Sequence, residues 1–277
     1  MKLIVVLYHA NCPDGFGAAW AAWKKFGNKA EYITTEPRTL PKEKLEDADI
    51  FVLDNSFSTE VQEMLRKNNK SVVIIDHHES SEQDVKIFPE NIFDIKHSGA
   101  VLAWKYFHPQ KEIPLFLKYV EDVDLWKFKL PYVHQISSFI SANQLDFTVW
   151  NKLARDIQDA ASRKNIVKIG SYIEQYKDGA VNEILKKARV VRFGGYDTLA
   201  VNSSIGRLVS ELGNRMCIKM PPIAIVWHMS GDELIVSLRS DGTVDVSKLA
   251  AKFGGGGHNA SSGFVMPTEK GFPWKSI

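Results

Sequence analysis

Three short apolar runs in this chain each end in side chains that can hold a cation. Residues 3–7 (LIVVL) run into His9 and then Asp14. Residues 50–53 (IFVL) end at Asp54, and residues 71–75 (SVVII) end at Asp76-His77-His78. Carboxylate oxygens and imidazole nitrogens together suit Mn²⁺, Fe²⁺ or Zn²⁺. A carboxylate shared by two cations ~3.5–4 Å apart is the arrangement many phosphoesterases use. The two cysteines, Cys12 and Cys217, form no paired thiolate cluster, which disfavours a structural zinc site. One aspartate at a strand end is more often a turn former or helix cap. That bland reading would have to hold three times in register, once for an Asp-His-His triplet.

Chemistry from three strand ends requires elements that gather them. Each run is β-branched and bounded by turn residues, as in strands buried on both faces. Helical patterns separate them. Residues 16–27 are alanine-rich with Trp20 and Trp23 at helical spacing, and residues 58–69 begin at Ser58 or Thr59 as N-cap. Strands alternating with helices predict an α/β domain with a parallel sheet. In such sheets ligands bind at the carboxyl ends of the strands, where all three polar endings lie. Residues 98–107 and 113–121 read as further helices, and a long helical stretch spans 147–188. The texture then changes. A hairpin about Gly194-Gly195, a helix at 203–213, two strands about a Gly-Asp turn at 231–232, a helix at 247–254 and a strand at 263–266 predict a small α+β domain. The boundary falls near 188, giving domains 1–188 and 189–277.

Composition narrows the setting. Thirty-five basic and 33 acidic side chains leave a net charge of +2, which excludes a strongly basic, non-specific nucleic-acid coat. Sparse cysteine fits a reducing cytosol and no disulfide framework. The first residues lack a signal-peptide cleavage pattern, and no apolar run reaches the ~20 residues of a membrane span. The expectation is a cytoplasmic protein with no membrane partner.

The triplet Asp76-His77-His78 after SVVII resembles the signature of the DHH phosphoesterase superfamily. GGGGHNASSG, from Gly254 to Gly263, resembles the glycine-rich motif of its associated substrate-binding domain, DHHA1. The two motifs occur in the family's order and the resemblance covers nearly the whole chain. It implies an N-terminal parallel-sheet DHH domain with flanking helices and a smaller C-terminal α+β DHHA1 domain. It also implies a dinuclear site, usually Mn²⁺ with Mg²⁺ or Co²⁺ as substitutes. Carried over by position, His9, Asp14, Asp54 and His77 match metal ligands, with Asp54 the bridging one. His78 matches the histidine facing the scissile phosphate and Asp76 the aspartate supporting the site. For the remaining ligand, VEDVDLW offers Asp122, which we favour, and Asp124 as its rival. The first motif departs from the usual His-x-Asp-x-Asp-Gly. It reads His-Ala-Asn-Cys-Pro-Asp-Gly, one residue longer, so Asn11 or Cys12 takes the place of a carboxylate, and Cys12 is either a soft ligand or packed in the turn.

In the second domain, Gly255, Gly256 and Gly257 would let backbone N–H groups approach a phosphate. His258 would contact it, and Arg239 resembles the family arginine that holds the substrate phosphate. Asn202 and Ser203 are weaker candidates. His97 could lie near the phosphate site, whereas His108, His134 and His228 read as surface or packed residues.

The resemblance implies hydrolysis of a phosphodiester by a metal-activated hydroxide, with His78 stabilising charge or protonating the leaving group. The short chain and balanced charge point to short RNA oligonucleotides or linear dinucleotides such as pApA or pGpG, and away from long duplex nucleic acid. The alternatives are phosphomonoesterase action on 3′-phosphoadenosine 5′-phosphate, polyphosphate or pyrophosphate hydrolysis, and a non-catalytic nucleotide sensor. Monomer and homodimer both remain open.

Overall fold

A computed structural model describes residues 3–277. The chain divides into two compact units that meet between Glu174 and Gln175.

The first unit is built on the expected parallel sheet. Its strands are β1 (Ile4–His9), β2 (Ala30–Thr35), β3 (Asp49–Leu53), β4 (Ser71–Asp76) and β5 (Ile92–Phe93), ordered β2-β1-β3-β4-β5. Every neighbouring pair is parallel. Two of these strands escape a reading by apolar runs: β2 (AEYITT) is broken up by Glu31, Thr34 and Thr35, and β5 is two residues long. The helices are α1 (Pro13–Phe26), α2 (Thr59–Asn68), α3 (Glu82–Lys86), α4 (Gly99–Phe107), α5 (Leu115–Asp124), α6 (Val133–Ser141), α7 (Phe147–Gln158) and α8 (Ala160–Leu185).

The central strands bury both faces, which is why they read as continuous apolar runs. Val6, Tyr8, Leu53 and Ile75 face a core with α1, α4, α5 and α7, where Phe16, Trp20, Trp104, Phe116 and Trp150 pack together. Val5, Leu7, Ile50, Val52 and Ile74 face the other way, against Phe57, Leu65 and Val85. The stretch expected to be one helix from 147 is two, because Asp159 is extended. Its carboxylate accepts from the Ser162 N–H at 2.8 Å, so one residue ends α7 and caps α8.

The second unit carries β6 (Arg189–Phe193), β7 (Tyr196–Asn202), β8 (Ile223–Ser230), β9 (Glu233–Ser240), β10 (Gly256–His258), β11 (Ser261–Pro267) and β12 (Lys275–Ser276). They form a seven-stranded sheet ordered β10-β11-β9-β8-β7-β6-β12, antiparallel except for β7 with β8. Helix α9 (Val209–Lys219) lies over one face, where Leu212 and Met216 meet Leu199, Ala224 and Val226. Helix α10 (Val246–Ala251) lies over the other, where Val246 and Leu249 meet Ile223, Ile225 and Val236. The textural change near 188 coincides with the end of α8. The two compact units instead part inside that helix, whose last turns, with Val181, Ile184 and Leu185, pack in the second unit's core. No helix among the described residues is long and apolar enough to cross a membrane.

Candidate metal centre

The carboxyl ends of β1, β3 and β4 bring their polar residues together. Asp54 is the centre of the group. Its Oδ2 lies 3.3 Å from His9 Nδ1 and its Oδ1 lies 3.1 Å from His77 Nε2. The same His77 nitrogen is 3.5 Å from Asp124 Oδ2 and 3.6 Å from Asp14 Oδ2. Two donor sets therefore meet at Asp54, which belongs to one and faces His77 of the other. One holds His9, Cys12 and Asp54, and another holds Asp14, His77 and Asp124. Within each set the donor atoms lie within 4.8 Å of one another.

Local structure fixes each candidate ligand. Asp14 stands in the first turn of α1, and its two oxygens accept from the backbone N–H groups of Gly99 (2.6 Å) and Ala100 (3.1 Å) at the start of α4. An anion there is favoured by the unpaired amides and the positive end of the helix dipole. Asp54 ends β3 in the left-handed region, at φ 53°, a strained conformation that aspartate tolerates better than most residues. Gly99 makes room for it: a Cβ at that position would sit 2.6 Å from Asp54 Cβ. Gly99→Ala should lower the melting temperature, with an overpacking cost of about 1–3 kcal/mol. It should also weaken cation binding by displacing Asp54. An unchanged melting curve would contradict this packing.

Asp76 organises the turn after β4 and is not a member of the His77 set. Its Oδ1 accepts from the His77 and His78 N–H groups and lies 2.7 Å from His78 Nδ1, and its Oδ2 accepts from Ser81 Oγ at 2.5 Å. Ser81 is a functional candidate that sequence reasoning missed, since a serine five residues downstream carries no signal of its own.

Asp122, the favoured ligand, takes another role, and its rival Asp124 stands in the cluster. Asp122 Oδ2 accepts from the N–H groups of Lys129 and Leu130, at 2.8 and 2.9 Å, and holds the loop after α5. Residues two apart on a helix point about 200° apart, so only one of the pair can face the strand ends. Asn11 is exposed and left-handed, at φ 53°, and absorbs the extra residue of the loop. That turn sets Cys12 beside His9 and Asp54. His97 lies 3.0 Å from Glu121 Oε2, which also accepts from Ser98 N–H. His108 is buried on the Ala21 carbonyl, and His134 stacks on Phe128.

The electrostatics suit a cation site. Burial and the charges of Asp124 and Asp54 hold the Asp14 carboxyl well above its usual range. Burial and Asp54 likewise raise Asp124. Burial works against protonation of His77, yet Asp54, Asp124 and Asp14 overcome it and lift its ring to about 10. Against the same opposition, Asp54 and Cys12 lift His9 to about 10. Asp54 itself is pulled well below the usual carboxylate range by His77 and His9, in spite of its burial. Among the described residues, no lysine or arginine pairs with Asp14, Asp54 or Asp124. Asp54 Oδ1 and Asp124 Oδ2 are buried without a hydrogen bond of proper geometry. Buried carboxylate oxygens left this way are costly unless a cation meets them.

In the second unit, Arg239, Ser261 and His258 stand directly opposite one another across β9, β11 and β10, so they share a face of the sheet. The Arg239 guanidinium donates to Ser210 Oγ (3.0 Å), in the first turn of α9, and to the Leu238 carbonyl (2.9 Å). It pairs with no carboxylate among the described residues, and burial draws it down to about 10. Gly255 departs from the expected phosphate contact. Its N–H donates to the Ala250 carbonyl, and a Cβ there would meet the Gly263 carbonyl at 2.1 Å. Its glycine identity serves close packing of the strand ends. Gly256 and Gly257 lie in β10, opposite Gly263 and Ser262. Asn202 and Ser203 are bound to the Trp227 carbonyl of β8.

Comparisons with known proteins agree with this architecture. The DHHA1 domain family model matches residues 190–273. An uncharacterized protein, R106, of Acanthamoeba polyphaga mimivirus is 30% identical over 99% of this chain and 70% of its own length. The bifunctional oligoribonuclease and PAP phosphatase NrnA of Bacillus subtilis is 25% identical over 81% of this chain and 72% of its own. Among solved structures, the pGpG-specific phosphodiesterase PggH of Vibrio cholerae superposes with a TM-score of 0.51 at 13% identity, over 97% of this chain and 95% of that one. At that identity the likeness is one of fold.

Proposed function

The chain belongs to the DHH superfamily of phosphoesterases with a C-terminal DHHA1 domain, and from that premise we propose that it is a divalent-metal phosphodiesterase cleaving short RNA oligonucleotides or linear dinucleotides to mononucleotides. The observation that carries the reading is Asp54, one carboxylate whose two oxygens face two different donor sets. The name of NrnA supports the substrate class. NrnA's second named activity supports phosphate release from 3′-phosphoadenosine 5′-phosphate as a second reaction of the same site.

Divalent cations at this cluster would acidify a water and offset phosphoryl charge. Asp14, Asp54, His77 and Asp124 form a carboxylate-rich set suited to Mn²⁺, with Mg²⁺ or Co²⁺ as substitutes. His78 is the proton donor to the leaving oxygen. Burial disfavours its charged form, but Asp76, 2.7 Å from Nδ1, more than compensates and raises its pKa. Asp76 thus keeps the ring protonated and oriented. Arg239 and His258 take the substrate's anionic groups. Arg239 is suited to this because it has no carboxylate partner and donates through a planar fork.

The test is a panel assay of the full chain with Mn²⁺, offering pApA, pGpG, a five-nucleotide RNA, 3′-phosphoadenosine 5′-phosphate and pyrophosphate. Mononucleotides should appear from the dinucleotides or the RNA. Turnover of pyrophosphate alone, or none with metal bound, overturns the reading. In the same assay Arg239→Lys should raise KM for pApA by about tenfold with little change in kcat, and an unchanged KM would remove Arg239 from the substrate site.

Cation binding should release protons. His9 and His77, held near 10, are protonated at pH 7 and must be neutral to ligate. Affinity should therefore climb as pH rises from 7 toward 10. Calorimetry at pH 7 in buffers of different ionisation enthalpy should show about two protons released from the two imidazoles of a fully loaded site, and a thiol ligand would add its own. No release would contradict the protonated state of both rings.

A further inference from the structure

The two donor sets that meet at Asp54 are chemically unlike. One is built of carboxylates and an imidazole. The other contains a thiol, and three observations direct that thiol at a cation. Its donor atom lies within 4.8 Å of those of His9 and Asp54. Cys12 occupies the N-cap position of α1, yet its side chain makes no capping bond; the residue contributes to the helix through its carbonyl, which accepts from Phe16 N–H at 2.9 Å. The left-handed turn at Asn11 then delivers the Cys12 side chain, one residue late, to the place beside His9. Cys217 provides the contrast within the same chain. It is buried among Val181, Leu199, Leu212 and Met216, where a thiol serves as a small apolar group.

We propose that Cys12 is a metal ligand through Sγ, and that the His9–Cys12–Asp54 position selects a softer divalent cation, Zn²⁺, Fe²⁺ or Co²⁺, over Mg²⁺ and Mn²⁺. Thiolate with imidazole and carboxylate is a donor set for these metals, whereas Mn²⁺ and Mg²⁺ prefer oxygen. The protein is then a mixed-metal enzyme, with a soft cation on the Cys12 side of Asp54 and a hard one on the other. On binding, the thiol gives its proton to solvent and Sγ becomes the donor. The inference rests on the reading of the cluster as a metal centre.

The experiment is anaerobic titration of the metal-free full chain with Co²⁺, followed by absorption spectroscopy. Sulfur coordinated to Co²⁺ gives a near-ultraviolet charge-transfer band, while the visible ligand-field bands report Co²⁺ held by any donors. The wild-type chain should show both. Cys12→Ser should lose the charge-transfer band and keep visible bands, and Cys217→Ser should keep both. Cys12→Asp should also shift the competition between Zn²⁺ and Mn²⁺ toward Mn²⁺ by about tenfold or more. Visible bands without charge transfer in the wild type overturn the thiolate alone. So does a charge-transfer band that survives Cys12→Ser. Absence of any bound Co²⁺ overturns the metal centre itself, and the thiolate with it.

Discussion

Asp54→Asn should lower kcat on a dinucleotide by on the order of 10⁴-fold and reduce bound cation at both positions together. Asparagine is the right probe because it nearly matches the side-chain shape and tolerates the left-handed backbone at φ 53°. What it removes is the charge and one of the two oxygens that face His9 and His77. Asp124→Asn removes a carboxylate from one set only, so it should empty one position and spare the other. Metal stoichiometry by mass spectrometry, beside circular dichroism to verify folding, separates the two. If Asp54→Asn keeps both cations and activity within about tenfold, Asp54 is not the bridge.

His78→Asn should lower kcat on pApA by roughly 10²–10⁴-fold with the metal content unchanged. The loss should depend on the leaving group. A nucleoside oxygen leaves as an alkoxide and needs a proton, whereas p-nitrophenolate leaves without one. Bis-p-nitrophenyl phosphate should therefore lose less than about tenfold. Equal losses on both substrates would mean that His78 stabilises phosphoryl charge and does not act as an acid. Asp76→Asn is the companion variant. It removes the charge beside Nδ1 while leaving His78 in place, so it should shift the acidic-form requirement to lower pH. A purely structural role would leave the pH profile where it was.

The architecture was legible because the strands that carry the ligands are buried on both faces and announce themselves as apolar runs. The same burial rule hid β2, whose Glu31, Thr34 and Thr35 suit a strand at the sheet's edge. Candidate ligands at strand ends were readable from type and position together, as with His9, Asp54 and His77, which the structure brings together. The aspartate on α5 was not. VEDVDLW presents two carboxylates, and only the helix phase relative to the sheet distinguishes Asp124, which reaches the cluster, from Asp122, which ties the following loop. The first motif stayed open in the sequence because one added residue permits two alignments; in the structure Asn11 is left-handed and Cys12 lies beside His9 and Asp54. In the glycine run, spacing showed that side chains were excluded but not what excluded them. At Gly255 it is the neighbouring strand.

The clasp between Asp14 and the start of α4 bears on the life of the protein between turnovers. A buried carboxylate whose only partner is a cation is stranded when the cation leaves. Asp14 has two amide donors of its own, and these stay when the cation goes. They also tie the first turn of α1 to that of α4, so the walls of the site are held by the chain itself. Cofactor exchange can then proceed on a standing framework. A bound cation could then leave and be replaced without the chain first refolding around it.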